Sequence, residues 1–289
     1  MNKTIKILVD DVFSGKEVKY FLKKVIGISD AIITDLKKTE EGILVNNERV
    51  FVTHILKAGD SLSINITDKK SDITESDIPL DIIFEDEDII VLNKQRGVPT
   101  HPSLNHYEDT FANGLMKYYS GKDFTFRAVT RLDRDTSGVV IVAKNPFSGA
   151  ILSENMKAGK IKKEYQAVIN GRINPMSGVI NAPIKRKYES MILRCVSPDG
   201  KTAITVYETL TVNDNFSLVR LNPITGRTHQ LRVHLSHMGT PIYGDDLYGA
   251  PQTEESVRLH CRKVTLSHPS TGEEISFEAD LPEDMKVLC

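Results

Sequence analysis

The sequence is poor in the residues that announce several common chemistries. Three cysteines occur, Cys195, Cys261 and Cys289, and no two form a CxxC pair, so neither a structural zinc site nor a thioredoxin-like redox motif is signalled. A sparse, odd cysteine count suits a reducing compartment, not a disulfide framework. No apolar run approaches the roughly 20 residues that a membrane-spanning helix needs. The opening MNKTIKILVDDVFSG alternates polar and apolar residues and lacks the continuous apolar core of a signal peptide, so a cytoplasmic protein with no membrane association is expected. A basic excess is missing too: Lys and Arg number 37 against 39 Asp and Glu, a net charge of -2. Any contact with a polyanion must then come from local patches, and the global charge argues mildly against nucleic acid. Repeats and low-complexity tracts are absent.

What is present is an ordinary globular composition, 40% hydrophobic and 26% charged, in a 289-residue chain long enough for two domains. Residues 1–67 read as a small α/β module. KEVKYFLKKVIG (16–27) places Val18, Phe21, Leu22 and Val25 on one helical face, with Lys16, Lys19, Lys23 and Lys24 on the solvent side or its edges. Those lysines are a solvated face or a basic patch. Ser29 can cap a second helix, SDAIITDLKK. Asn46-Asn47 predicts a hairpin turn, and GDSLSINI a strand. Residues 68–79, DKKSDITESDIP, are polar and charged and read as a linker between two independent cores. Beyond residue 80 strands dominate: DIIVLNK, RAVTRL, GVVIVAK, EYQAVIN, AITVYETL, FSLVRL, VRLHCRKVTL and EEISFEA. Three helical segments intervene, YEDTFANGLMKYYSG, NPFSGAILSENMKAG and RTHQLRVHLSHMG. Strands following strands with few crossovers predict an α+β domain with a mixed, mainly antiparallel sheet over 80–289.

Three segments can carry chemistry. In AVTRLDRDTSGVVIVAKN (128–145) a strand runs into a polar turn and a second strand leaves. Such a turn can be purely structural, with Asp and Ser bonding their own backbone. Alternatively, Asp133 is a carboxylate kept ionised by Arg131 and Arg134, as a nucleophile requires. In LNPITGRTHQLRVHLSHMGTPIYGDDLYG (221–249) Leu231, Leu235 and Met238 repeat at helical spacing and should face the core. Arg227, His229 and Arg232 crowd the first turns, where an anion would be welcome. His229, His234 and His237 read as surface or packing residues, not as metal ligands. In KIKKEYQAVING (160–171) Lys160, Lys162 and Lys163 precede Tyr165. Tyr165 is either a half-buried strand residue or a ring on which an RNA base stacks.

RLDRDTSG followed by GVVIVAK resembles the signature of RluA-type RNA pseudouridine synthases. KEYQAVI resembles the family's tyrosine motif and GRTHQLRVHL its third motif. DIIVLNKQRGVPTHP and PIYGDDLYG are similar to its opening strand and closing turn, so the resemblance covers roughly residues 80–285. One departure is Thr130, where the family usually has His; this bears on that histidine and not on the aspartate. Residues 1–67 are similar, more weakly, to the alpha-L RNA-binding module of ribosomal-protein type, with lysines in place of most of its arginines.

The resemblance implies conversion of uridine to pseudouridine in structured RNA, ribosomal RNA more than transfer RNA, by a monomer without cofactor or metal. It assigns Asp133 as nucleophile, Tyr165 as the ring stacked on the flipped base, and Arg232 as the partner of Asp133. Arg131 would fill the gap left by the flipped base. Arg134, Lys162, Lys163 and Arg227, with Lys19, Lys23 and Lys24 of the module, would follow the phosphates. Two alternatives stand beside it: a non-catalytic RNA-binding factor on the same fold, and a hydrolase using Asp133 and Asp135 as paired carboxylates.

Overall fold

A computed structural model describes residues 1–69, 71–187, 192–251 and 255–288; Cys289 lies outside the described residues. The N-terminal module contains β1 (Lys3–Leu8), α1 (Val18–Lys24), α2 (Asp30–Lys38), β2 (Ile43–Val45), β3 (Glu48–Arg49) and β4 (Ser61–Ile66). Its four strands form one antiparallel sheet in the order β1-β4-β2-β3. The Ser29 side chain accepts the Ile32 N–H and starts α2. Asn46 and Asn47 both have positive φ, 52° and 68°, the conformation a two-residue hairpin needs. Val18, Phe21 and Leu22 are buried as their spacing predicts, whereas Val25, at the end of α1, is exposed.

The larger domain contains β5 (Ile82–Glu85), β6 (Ile89–Lys94), α3 (Phe111–Tyr118), β7 (Ser137–Ala143), α4 (Pro146–Lys157), β8 (Lys162–Asn170), β9 (Ser177–Asn181), β10 (Ile184–Arg186), β11 (Arg194–Val196), β12 (Ile204–Val212), β13 (Phe216–Pro223), α5 (Gln230–His237), β14 (Leu259–Ser267), β15 (Glu274–Glu278) and α6 (Glu283–Lys286). Nine of these strands make one sheet in the order β5-β6-β7-β14-β8-β13-β12-β9, with β15 also paired to β14. The β7–β14 pair is parallel and the remaining pairs of this sheet are antiparallel, so the expected mixed sheet is present. Every residue of β7 is buried, which explains its unbroken run of small and β-branched residues.

Two expectations require correction. RAVTRL is not a strand: Ala128 makes a single bridge to Val142, and the chain then leaves the sheet. The Thr130 hydroxyl accepts the Ile141 N–H at 2.9 Å, filling the ladder position that a continuing strand would use. Nor is 68–79 a free linker. The Asp68 carboxylate is buried and bonded to Arg127 and Thr125. Asn113 donates to the Thr74 carbonyl at 2.8 Å. Gly114 of α3 lies so close to this strap that an added Cβ would stand 2.8 Å from the Ile78 Cβ. The two cores also meet directly, because Phe147 at the start of α4 is buried in the hydrophobic cluster of the N-terminal module.

Candidate active site

Asp133 sits on the irregular segment that enters β7, and its main chain is fixed on both sides. Thr100 donates to the Leu132 carbonyl at 2.8 Å, and the Thr136 N–H to the Asp133 carbonyl at 3.1 Å. The Arg134 carbonyl accepts from the Gly97 N–H and from Lys94 Nζ, at 3.0 and 2.9 Å. Lys94 is fully buried, and its ammonium also reaches the Gln95 and Val98 carbonyls, both at 2.8 Å. Its three donors thus meet three acceptors. Burial pulls its pKa down to about 7, against the charges of Asp135 and Asp133. The loop is held by backbone contacts, which leaves the Asp133 side chain about a third exposed.

That side chain opens on a cleft of about 600 Å³ lined also by Lys163, Tyr165, Arg227, His229 and Arg232. Lys163 and Tyr165 lie two apart on β8 and so face the same side of the sheet. Tyr165 is more deeply set than a free stacking platform: it is buried in the main core, opposite Cys261 in the β8–β14 register. Burial, then the neighbouring Cys261 and Asp133, hold its phenol well above the usual range, so it stays protonated. Burial pushes the Cys261 thiol up to about 12 and lowers the Lys163 pKa.

Arg232 enters the cleft, but its expected ion pair with Asp133 is not made. Its guanidinium grips Asp245 with both arms, Nε to Oδ2 at 2.8 Å and Nη2 to Oδ1 at 2.7 Å. Asp245 is completely buried, while Asp133 keeps part of its hydration, so the fork satisfies the carboxylate that needs it more. Burial acts to lower the Arg232 pKa, but the bonds and charge of Asp245, helped by Asp133, outweigh it and the net shift is upward. Arg232 also stacks on the Tyr248 ring, 5.0 Å from its centroid. The basic side chain closest to Asp133 among the described residues is one read from the sequence as a surface or packing residue: His229 Nε2 is 3.9 Å from Asp133 Oδ2. His234, by contrast, is a packing histidine, bonded to Thr205 Oγ1 at 2.9 Å and the Ala182 carbonyl at 3.0 Å.

The other basic residues divide. Arg131 is exposed on the cleft wall, and Arg227 is exposed with its Nε on the Thr202 carbonyl at 2.9 Å. Arg134 turns to Asp135, with Nε 3.0 Å from Oδ1, and neither lines the cleft. Asp135 is thus no second carboxylate for a paired-acid hydrolase. Lys162 points away from Lys163. On α1, Lys19 and Lys24 are exposed, whereas Lys23 pairs with Asp30 and is partly neutralised. Met238 is exposed at the end of α5, although Leu231 and Leu235 are buried. Among the described residues, no three or more His, Cys, Asp or Glu are grouped to hold a metal, and no helix is long and apolar enough to cross a membrane.

A family profile described as RNA pseudouridylate synthase matches residues 88–237, which contain the Asp133 loop, β8 and α5. The chain is 42% identical to an uncharacterized RNA pseudouridine synthase, YjbO, of Bacillus subtilis (strain 168), over 91% of this chain and 95% of that protein. It is 35% identical to the ribosomal large subunit pseudouridine synthase D of Escherichia coli O6:H1, over 80% of this chain and 76% of that protein. Among solved structures, human RNA pseudouridylate synthase domain containing 4 superposes with a TM-score of 0.59 at 28% identity, covering 71% of this chain and 90% of that one.

Proposed function

Since the chain belongs to the RNA pseudouridylate synthase family and is an RNA pseudouridine synthase, we propose that it isomerises specific uridines of large-subunit ribosomal RNA, with Asp133 as the nucleophile. The observation that carries the residue assignment is the Asp133 loop. Three successive carbonyls, Leu132 to Arg134, are held by Thr100, Thr136, Gly97 and Lys94, so the carboxylate between them is presented to the cleft on a fixed backbone. The ribosomal assignment follows the relatives named as large-subunit enzymes.

In the reaction the N1–C1′ glycosidic bond breaks, the uracil turns, C5 bonds to C1′, the C5 proton leaves and N1 takes a proton. Nothing is oxidised or reduced. A uridine inside a helix must first be flipped out, at a cost of a few kcal/mol. Asp133 attacks the nucleotide, and the Tyr165 face packs against the uracil. Burial keeps its phenol protonated, which favours packing over proton transfer. Arg131, exposed at the cleft, occupies the gap left in the RNA. Lys163, Arg227, Lys19 and Lys24 follow the phosphates, which position the RNA without reading its sequence.

The test uses RNA labelled with tritium at uracil C5, prepared from cells lacking this protein. Release of tritium with pseudouridine appearing in the large-subunit RNA fraction supports the reading. Pseudouridine confined to transfer RNA would overturn the ribosomal assignment.

A further inference from the structure

His229 occupies a costly conformation. Its backbone, φ 55° and ψ 21°, is left-handed helical, a conformation that residues with a Cβ rarely adopt. It stands at the N-cap of α5, yet its side chain caps nothing there. Instead, the backbone turn sends the ring into the cleft with only 9% of its side chain exposed. Nε2 faces Asp133 Oδ2 across 3.9 Å, and Nδ1 is 2.7 Å from Tyr248 Oη. The two rings meet edge to face, 5.6 Å apart at 83°.

The hydrogen bonds around Tyr248 favour one imidazole tautomer. Tyr248 Oη accepts the Arg194 N–H at 3.1 Å, and His229 Nδ1 is the acceptor within reach of its own proton among the described residues, so we assign that proton to the Tyr248–His229 contact. Nδ1 is then the acceptor, and the ring proton lies on Nε2, toward Asp133. The groups facing the ring are Asp133 from the loop, Arg232 from α5, Arg194 from β11, and Asp245 and Tyr248 from the turn after α5. Burial, with the two arginines, outweighs the two carboxylates and lowers the His229 pKa below its usual 6.5, so the ring is neutral at pH 7.

We propose that His229 is a positioning residue for the reaction: its Nε2–H takes one oxygen of the Asp133 carboxylate, leaving the other directed at the nucleotide, and Tyr248 holds the tautomer that makes this possible. The proposal rests on Asp133 being the nucleophile. The 3.9 Å gap is about 1 Å longer than a hydrogen bond and closes when the nucleotide fills the cleft and displaces the water around Asp133. A carboxylate free at both oxygens can swing; one held by a directed donor cannot, and orientation of this kind governs the maximal rate more than RNA affinity.

Single-turnover pseudouridine formation with enzyme in excess, on the C5-tritiated RNA described above, separates the two quantities. His229→Leu should lower the maximal rate by about 50-fold while the enzyme concentration at half-maximal rate stays within about threefold. His229→Gln, whose amide N–H reaches the place of Nε2, should recover about tenfold over leucine. Tyr248→Phe frees the tautomer and should cost about threefold in maximal rate. In the wild-type enzyme, protonation below the lowered His229 pKa converts the contact to a full ion pair and quenches the nucleophile. The acidic limb of the rate should therefore move to lower pH in His229→Gln, which does not titrate.

A leucine variant that is folded by thermal unfolding and keeps its maximal rate would overturn the proposal. So would a glutamine variant no better than leucine, or one with the acidic limb unmoved. If leucine does not fold, the glutamine limb decides. An active Asp133→Asn would instead sink the nucleophile assignment, so the two failures are distinguishable.

Discussion

Arg232 and Asp245 form a two-armed ion pair at 2.8 and 2.7 Å, and Arg232 lines the cleft into which Asp133 opens. The Asp133 carboxylate thereby shares its cleft with a cation whose charge is already matched. Asp245→Asn leaves a buried guanidinium without its counter-charge and should cost about 3–5 kcal/mol of stability, read by denaturant unfolding. Arg232→Met with Asp245→Leu removes both charges and should regain most of that stability. It should not regain activity, because Asp133 then loses the field of Arg232 and the stacking of Arg232 on Tyr248 is gone. A double variant that is both stable and active would show the pair to be scaffold alone.

Tyr165 offers a separation of ring from hydroxyl. Tyr165→Phe loses only the hydroxyl and should keep most of the activity. Tyr165→Ala removes a buried ring, at a cost of about 3–5 kcal/mol in stability, and with it the face that meets the base. Tyr165→Leu fills much of the space without an aromatic face and is the fairer comparison. Phenylalanine should exceed leucine by about tenfold in rate, in line with a stacking contribution of about 1–3 kcal/mol. Equal losses in both would transfer the role to the hydroxyl.

What could be read from the sequence was local. The turn that carries Asp133 was legible because a polar stretch between two apolar runs is encoded within a dozen residues, whereas its reading as the nucleophile came from the family resemblance. The caps and hairpin of the module were legible for the same reason. The partner of Arg232 was not, because the choice between Asp133 and Asp245 depends on which carboxylate loses its water, and burial is a property of the assembled fold. His229 could not be separated from His234 and His237 by spacing, since its role comes from a left-handed backbone that no glycine or asparagine announces. RAVTRL alternates like a strand, yet one hydroxyl, on Thr130, diverts it. The strap 68–79 read as a linker because it is polar and charged, and its bonds to Asn113 and Thr125 of the larger domain depend on tertiary structure.

Acid stability should show a particular window. His260 is fully buried between Ser137 Oγ, at 2.9 Å, and the Ala279 carbonyl, at 3.1 Å, and burial lowers its pKa to about 4. In the unfolded chain it titrates near 6.5. Between these values the unfolded state binds the extra proton, so stability present above pH 6.5 is lost as pH falls to about 4, in total about 3 kcal/mol. His260→Gln should flatten the stability curve across that window. An unchanged slope would assign the acid loss to other groups.

The contact between module and larger domain predicts shared stability. Phe147 is buried among residues of the N-terminal module, so Phe147→Ala should cost about 3–5 kcal/mol. Deleting residues 1–67 should expose Phe147 and lower the thermal unfolding temperature of the remaining domain, as well as weakening RNA binding and its salt dependence. A truncated protein with the unfolding temperature of the full chain would show that the two cores are independent after all.

The central claim is that the Asp133 carboxylate attacks the nucleotide, and one substitution isolates it. Asp133→Asn keeps the shape of the side chain and leaves intact the backbone bonds from Thr100, Thr136, Gly97 and Lys94. The measurement is tritium release from C5-labelled RNA, with filter binding of the same RNA run in parallel. The account predicts no detectable release and RNA affinity within about tenfold of wild type, a change of about 1.4 kcal/mol. Release at the wild-type rate by Asp133→Asn would contradict it.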